Sequence, residues 1–182
     1  MIEYRIPHRF IKGAICTAEI DCDEGSSESV KKGLAAVWAV KNGISLRCAE
    51  LYGADLRVAD LRRANLESAD LYRANLYGVN LSWANLETAC LYKACLEKSR
   101  IANACLVGAN LISANLTESN LWGSNLYRAD LRQARLIGAY LDGANLYKAN
   151  LEAADVYKSD LKGTHLEEVE YRTMKYFNET KI

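Results

Sequence analysis

The sequence predicts an all-β fold, a parallel solenoid that turns a corner every five residues. Three observations carry that prediction. Leucine recurs at every fifth position from Leu46 to Leu166 without an insertion, and only Ile101 and Val156 replace it among 25 centres. Two residues before a centre the side chain is nearly always small, as at Ala49, Ala54, Ala64, Ser99 and Ser124. All seven glycines inside the repeat (Gly53, Gly78, Gly108, Gly123, Gly138, Gly143 and Gly163) stand two residues after a centre.

A five-residue period suits neither regular element. On a helix, successive leucines would advance by ~140° and spread around the axis, leaving no apolar stripe. On a continuous strand, an odd period would send alternate leucines to opposite faces. The pattern is coherent if only Ala-x-Leu is extended, with Ala and Leu pointing inward and the residue between them outward. The two remaining positions then form a corner, and glycine concentrates where that corner needs a positive φ. Pro7, the single proline, lies outside the repeat, so every residue inside it keeps its N–H for hydrogen bonding.

A chain that turns the same way every five residues winds into a prism whose coils pair in parallel. The run ADLRVADLRRANLESADLYRANLYGVNL, residues 54–81, and its continuation over about 44–166 resemble the pentapeptide repeat family. That resemblance implies a right-handed quadrilateral β-helix with four phrases per coil and about six coils. At ~4.8 Å between strands the rod would be roughly 30 Å long. It also brings to mind bacterial or bacteriophage-borne members of the family.

The expected organisation is an N-terminal arm and capping helix over 1–43, the β-helix over 44–168, and a C-terminal cap or dimerisation segment over 169–182. Stacked coils leave unpaired backbone at both ends, so caps are needed. Residues 9–20, RFIKGAICTAEI, suggest a strand or hairpin arm, and DCDEGSS a loop. SESVKKGLAAVWAVKNG predicts an amphipathic helix over about 28–41, with Gly43 as its stop. Val30, Leu34, Val37 and Trp38 share one face at helical spacing, and that stripe is expected to cover the Ile44/Leu46 end of the core. At the other end, Tyr171, Met174, Tyr176 and Phe177 suit either an intramolecular cap or the two-fold dimer that the resemblance implies.

Signals of chemistry are weak. His8 and His165 are far apart in the register, and no Ser-His-Asp, HExxH, P-loop or GxGxxG pattern occurs. The sequence therefore predicts no catalytic residue, metal or cofactor. The Asp and Asn residues preceding Leu, such as Asp55, Asp60, Asn65, Asp70 and Asn75, fall at an outward position where short polar side chains bond nearby backbone. Cys90, Cys95 and Cys105 occupy that same position, with Arg100 between them. They diverge on different sides of a prism, which opposes a zinc site or a disulfide. With Cys16, Cys22 and Cys48 they are read as free thiols in a reducing cytoplasm. No stretch approaches the ~18 apolar residues of a membrane span, and no secretory leader is evident.

With four phrases per coil, residues 20 apart stack. One column after the centres reads Tyr52, Tyr72, Tyr92, Ile112, and its neighbour ends Val107, Tyr127, Tyr147. Together with Trp122 these side chains form the expected interaction surface. A tyrosine ladder alone has a structural explanation in ring stacking; the added Val107, Ile112 and Trp122 point to a protein contact.

Three functions follow in order. The first is a non-enzymatic scaffold that binds an unidentified protein, a second copy of the chain included. The second, implied by the family resemblance, is protection or inhibition of DNA gyrase by DNA mimicry. That mechanism needs a strongly negative rod, whereas residues 46–166 carry thirteen acidic and fourteen basic side chains. A net of about +1 has the wrong sign for duplex phosphate. Nucleic-acid binding comes third: Arg57, Arg62, Arg63 and Arg73 lie near Tyr72 and Trp83, but Glu67 and Asp70 interrupt them.

Overall fold

The structure, a computed structural model, describes residues 1–10 and 12–169. Each five-residue phrase from Leu46 onward contributes one side of a prism. Residues 20 apart pair in parallel, from Glu50↔Asp70 through to Asn145↔His165. Four phrases therefore make one coil, and about six coils stack.

The leucines fill the prism: Leu51, Leu61, Leu71, Leu81, Leu91 and Leu111 are fully buried, and the small residues between them complete the core. Two positions earlier the residue is small, nearly always alanine or serine and once the fully buried Val79, because each coil is narrow and a second large side chain would overfill it. At three of the four serines that replace alanine (Ser99, Ser119 and Ser159) the hydroxyl returns to the backbone, whereas that of Ser124 has no hydrogen-bond partner. Ser99 donates to the Leu96 carbonyl at 2.6 Å and Ser119 to that of Leu116 at 2.7 Å.

The backbone N–H groups of a phrase have separate destinations. The centre donates to the next coil, as Leu71 does to the Cys90 carbonyl at 2.8 Å, and so does the residue two further on, Arg73 to Tyr92 at 3.0 Å. The residue before the centre donates to the previous coil, Asp70 to Ala49 at 2.9 Å. The small residue closes the corner, Ala74 to Leu71 at 3.0 Å. The residue just after the centre takes no backbone partner. Its N–H is accepted by the Asp or Asn side chain two residues earlier, as from Tyr72 to Asp70 Oδ1 at 3.0 Å and from Trp122 to Asn120 Oδ1 at 2.9 Å. Three of the five N–H groups thus enter the ladder, rather than all five.

Every corner residue two after a centre has a positive φ, from 52° at Val58 to 67° at Gly143 and Gly163. With positive φ confined to that residue, each corner is a type II turn. Glycine takes this conformation freely, whereas 18 of the 25 corners accept another residue there, at a cost of about 1 kcal/mol each.

Ahead of the prism, β1 (Ile2–Pro7) and β2 (Ala14–Ile20) form an antiparallel hairpin, with Ile2 opposite Ile20. Its first strand begins earlier than the 9–20 arm expected from the sequence. The hairpin covers one edge of the first coil, where Glu50 donates to the Pro7 carbonyl at 3.0 Å and Arg9 to that of Cys48 at 2.7 Å. Helix α1 (Glu28–Lys41) starts on a Ser27 cap and ends in a Schellman motif. In that motif Gly43 has φ 71° and Ile44 donates to the Ala39 carbonyl at 2.9 Å. The helix also accepts a bond from the first coil, Asp55 N–H to the Ser29 carbonyl at 2.9 Å.

The expected helix face is only partly the buried one, with Val37 and Trp38 packed half-buried against the core. Lys32, Gly33, Ala35, Ala36 and Ala39 face the core, while Val30, Val37 and Trp38 are half-buried and Leu34 is exposed. Close approach is the reason. A Cβ on Gly33 would stand 1.8 Å from the Asp55 carbonyl oxygen, so no side chain fits at that position. Beyond Val169 the expected C-terminal cap, with Tyr171, Met174, Tyr176 and Phe177, lies outside the described residues.

Two outcomes follow from these contacts. Gly33→Ala is expected to cost about 3 kcal/mol or more in urea denaturation, because backbone rather than a mobile side chain opposes the new methyl. The coil over 88–107 has Cys90, Cys95, Arg100 and Cys105 in place of Asp or Asn, so it lacks four of the side-chain acceptors that other coils use. Restoring one, Cys95→Asn, should raise stability by about 1 kcal/mol through a bond to the Glu97 N–H, read as a higher denaturation midpoint.

Candidate interaction surface

Because Leu and Ala point inward, the surface is made of three columns per side: the residue before each centre and the two corner residues after it. Numbering the sides by Leu46, Leu51, Leu56 and Leu61, the expected band occupies the two edges after the first and second sides. Here the tyrosines mostly satisfy one another. Tyr72 and Tyr92 stack at 5.6 Å between centroids with planes 14° apart, and Tyr127 and Tyr147 at 5.7 Å and 17°. Each ring also carries the cation that follows it in sequence. Arg73 lies 5.0 Å from Tyr72, Lys93 5.1 Å from Tyr92, Arg128 5.1 Å from Tyr127 and Lys148 5.0 Å from Tyr147. Tyr72, Tyr92, Val107, Ile112, Tyr127 and Tyr147 are all half-buried. Tyr52 stays outside the stack, because Lys32 from α1 sits 3.3 Å over its ring.

The most exposed large apolar side chains gather elsewhere. Val58 (75%) and Tyr77 lie on the edge before the fourth side, Trp83 (61%) and Trp122 (46%) on the edge after it, and Tyr140 (40%) on the side itself. Only Tyr52 of the exposed large apolar residues in the repeat lies away from this side. Sequence reasoning followed the column just after the centres and so found Trp122 but not the grouping. The signal was present in the other two columns at the same spacing of 20, where Val58, Trp83 and Tyr140 stand.

Local pairing cancels much of the charge. Arg57 forks onto Asp55 (2.6 Å), Arg62 onto Asp60 (2.6 Å) and Arg132 onto Asp130 (2.7 Å), each pair two residues apart. The hydrogen bonds from Arg57 and Arg62 hold the carboxyls of Asp55 and Asp60 below the usual range, with burial opposing. The same aspartates accept their corner N–H groups, at 3.4 Å from Arg57 and 3.2 Å from Arg62. Of the four arginines weighed for nucleic acid, two are thus tied to carboxylates and Arg73 covers Tyr72.

Nothing in the described residues converges for catalysis. No group of three His, Cys, Asp or Glu among them could hold a metal ion. The six cysteines are free, with Cys48 buried and the others half-buried. Burial pushes the Cys16 thiol up, away from the reactive thiolate. No helix among the described residues is long and apolar enough to cross a membrane.

Comparison with known proteins gives the same architecture a family. No curated protein sequence is significantly similar to the chain. Among solved structures, the chain is similar to HetL, a pentapeptide repeat protein involved in heterocyst differentiation regulation in Nostoc sp. strain PCC 7120. The identity is 29%, covering 72% of this chain and 71% of that one, with a TM-score of 0.30. It is also similar to a pentapeptide repeat protein of the Arabidopsis thaliana thylakoid lumen, at 22% identity over 65% and 69% of the two chains and a TM-score of 0.40. Rfr23 from the cyanobacterium Cyanothece 51142 is 34% identical over 68% of this chain and 63% of its own, with a TM-score of 0.23. The model of pentapeptide repeats matches residues 49–87, 94–133 and 129–167 in eight copies. With more than half of its length so matched, the chain belongs to the pentapeptide repeat family, and its prism is the right-handed quadrilateral β-helix of that family.

Proposed function

We propose that the protein is a non-enzymatic scaffold that binds another protein through the fourth side of its prism. One observation carries the reading: Val58, Tyr77, Trp83, Trp122 and Tyr140 all stand on that side or its two edges. Large apolar groups exposed together on a monomeric surface are costly in water and typically mark a contact. Aromatic residues, tryptophan above all, are also the residue types that dominate binding energy when a partner covers them. The ladder supports the solenoid here, since its rings already cover one another.

Gyrase inhibition by charge mimicry finds no support in the surface, because the repeat is close to neutral and Asp55, Asp60 and Asp130 are each paired with an arginine two residues away. The free cysteines agree with a reducing cytoplasm as the working compartment.

The test is crosslinking in cells expressing the protein, followed by mass spectrometry, with the double variant Trp122→Asp/Tyr140→Asp alongside. The expected result is loss of the crosslinked partner with an unchanged melting temperature. Light scattering on both proteins tells a second copy from a different partner. Undiminished crosslinking in the double variant would remove the fourth side as the interface. Inhibition in a gyrase supercoiling assay would overturn the charge argument.

A further inference from the structure

The helix that caps the prism leaves its larger apolar side chains only half-buried or exposed, and two of them line a groove. Val37 and Val40 of α1 form one wall; Trp83, from the second coil, forms the other. The groove encloses about 670 Å³ and is open to solvent along its length. Gly33 lets α1 approach the first coil closely, and Val37 and Val40, half-buried against the core, keep part of their surface toward the groove.

The charges along this groove are unequal. Asp60 lines it but is occupied by Arg62, at 2.6 Å. Arg63 and Lys41 also line it, and neither forms an ion pair among the described residues. The groove therefore has an aliphatic and aromatic lining and a rim with two uncompensated positive charges. A second, smaller groove of about 440 Å³ borders the earlier part of the helix, lined by Val30, Leu34 and Val58.

We infer that the groove beside α1 binds a linear acidic segment of the partner protein, in which one or more apolar side chains are flanked by aspartate or glutamate. The apolar residue occupies the space between Val37, Val40 and Trp83, and the carboxylates meet Arg63 and Lys41. Complementary charge at a rim raises the association rate and fixes register, while the buried aromatic contact supplies most of the affinity. A nucleic acid suits the site less well. Its opposite wall is aliphatic, offering no second ring for stacking, and the other nearby arginines are engaged by Asp55, Asp60 and Tyr72. This inference rests on the scaffold reading and gives it a partner chemistry.

The test uses the whole chain and a displayed library of random peptides, with binding of the selected peptides measured by fluorescence anisotropy. Selected sequences should be enriched in Asp and Glu around an apolar residue. Their affinity should fall roughly tenfold or more in Trp83→Gly, and in Lys41→Glu/Arg63→Glu it should fall most at low salt. Trp83→Gly is a suitable probe because φ is 64° there, a conformation glycine adopts without strain. Melting temperatures confirm that the variants fold.

Selection of no peptide, absence of acidic enrichment, or unchanged affinity in both groove variants would overturn the inference. Peptides that ignore the groove variants but are lost in Trp122→Asp would overturn it while leaving the scaffold reading standing. Tighter binding of an oligo-dT strand than of any peptide, lost in the same variants, would reassign the groove to nucleic acid.

Discussion

The five-residue phrase is held together by the way it distributes its N–H groups, and the rest of the molecule depends on that distribution. Three groups reach adjacent coils, one closes the corner and one is accepted by an Asp or Asn side chain. A corner this tight is possible only if the residue two after the centre has positive φ, which it has in all 25 phrases. An unpaired buried backbone group costs on the order of a lost hydrogen bond, so a corner of another shape would be penalised in every coil. Regularity is therefore imposed by the backbone, and leucine follows it as the side chain that fills the enclosed space.

The same distribution frees the corner side chains. Corner side chains pair with their neighbours, as Arg57 does with Asp55 and Ser68 with Thr88, but the turn itself does not require those pairs, so composition there varies widely along each column. One column passes from Tyr52 to Tyr92, Ile112, Arg132 and Glu152 without altering the spacing of the coils. Stacking is not negligible, however. Residues 20 apart meet at about the inter-strand distance, so one column member limits the next. A Cβ at position 78 would come within 3.2 Å of Val58 Cγ1, and one at 123 within 2.8 Å of Asn103 Oδ1. Glycine at those corners answers the neighbour above as well as the turn.

Much of this was legible in the sequence because it repeats. The period, the inward pair, the corner and the stacking interval of 20 follow from leucine, alanine and glycine placement. The helix and its stop at Gly43 were legible for a different reason, since helical spacing and a glycine stop are local signals. What was not legible depends on contacts between segments far apart in the chain. Apolar periodicity pointed to Val30, Leu34, Val37 and Trp38 as the buried face of α1. The carbonyl of Asp55 selects Gly33, and the fully buried positions beside it are Ala35, Ala36 and Ala39. Likewise the three-membered tyrosine ladder became a pair, because Lys32 of the helix covers Tyr52. The grouping on the fourth side was present in the spacing of 20, but only once the columns before the centre and at the second corner position were read with the first.

Val58 shows why the exceptions on this side bear on function. It is β-branched, has φ 52° and is 75% exposed, so it carries the strain of a left-handed corner without the return of burial. Glycine would relieve that strain, and glycine already stands at seven other corners. Trp83 repeats the situation at φ 64° with a much larger side chain left 61% in solvent. Eighteen corners carry a side chain at positive φ, but only Val58 and Trp83 among them are large, apolar and exposed, the pattern expected where stability has been exchanged for contact with something outside the fold. Both residues border the grooves beside the capping helix. The helix lies this close to the coil because Gly33 carries no side chain against the Asp55 carbonyl. A constraint that begins as the capping of one bare coil thus ends by placing apolar walls and free cations at the same edge of the prism.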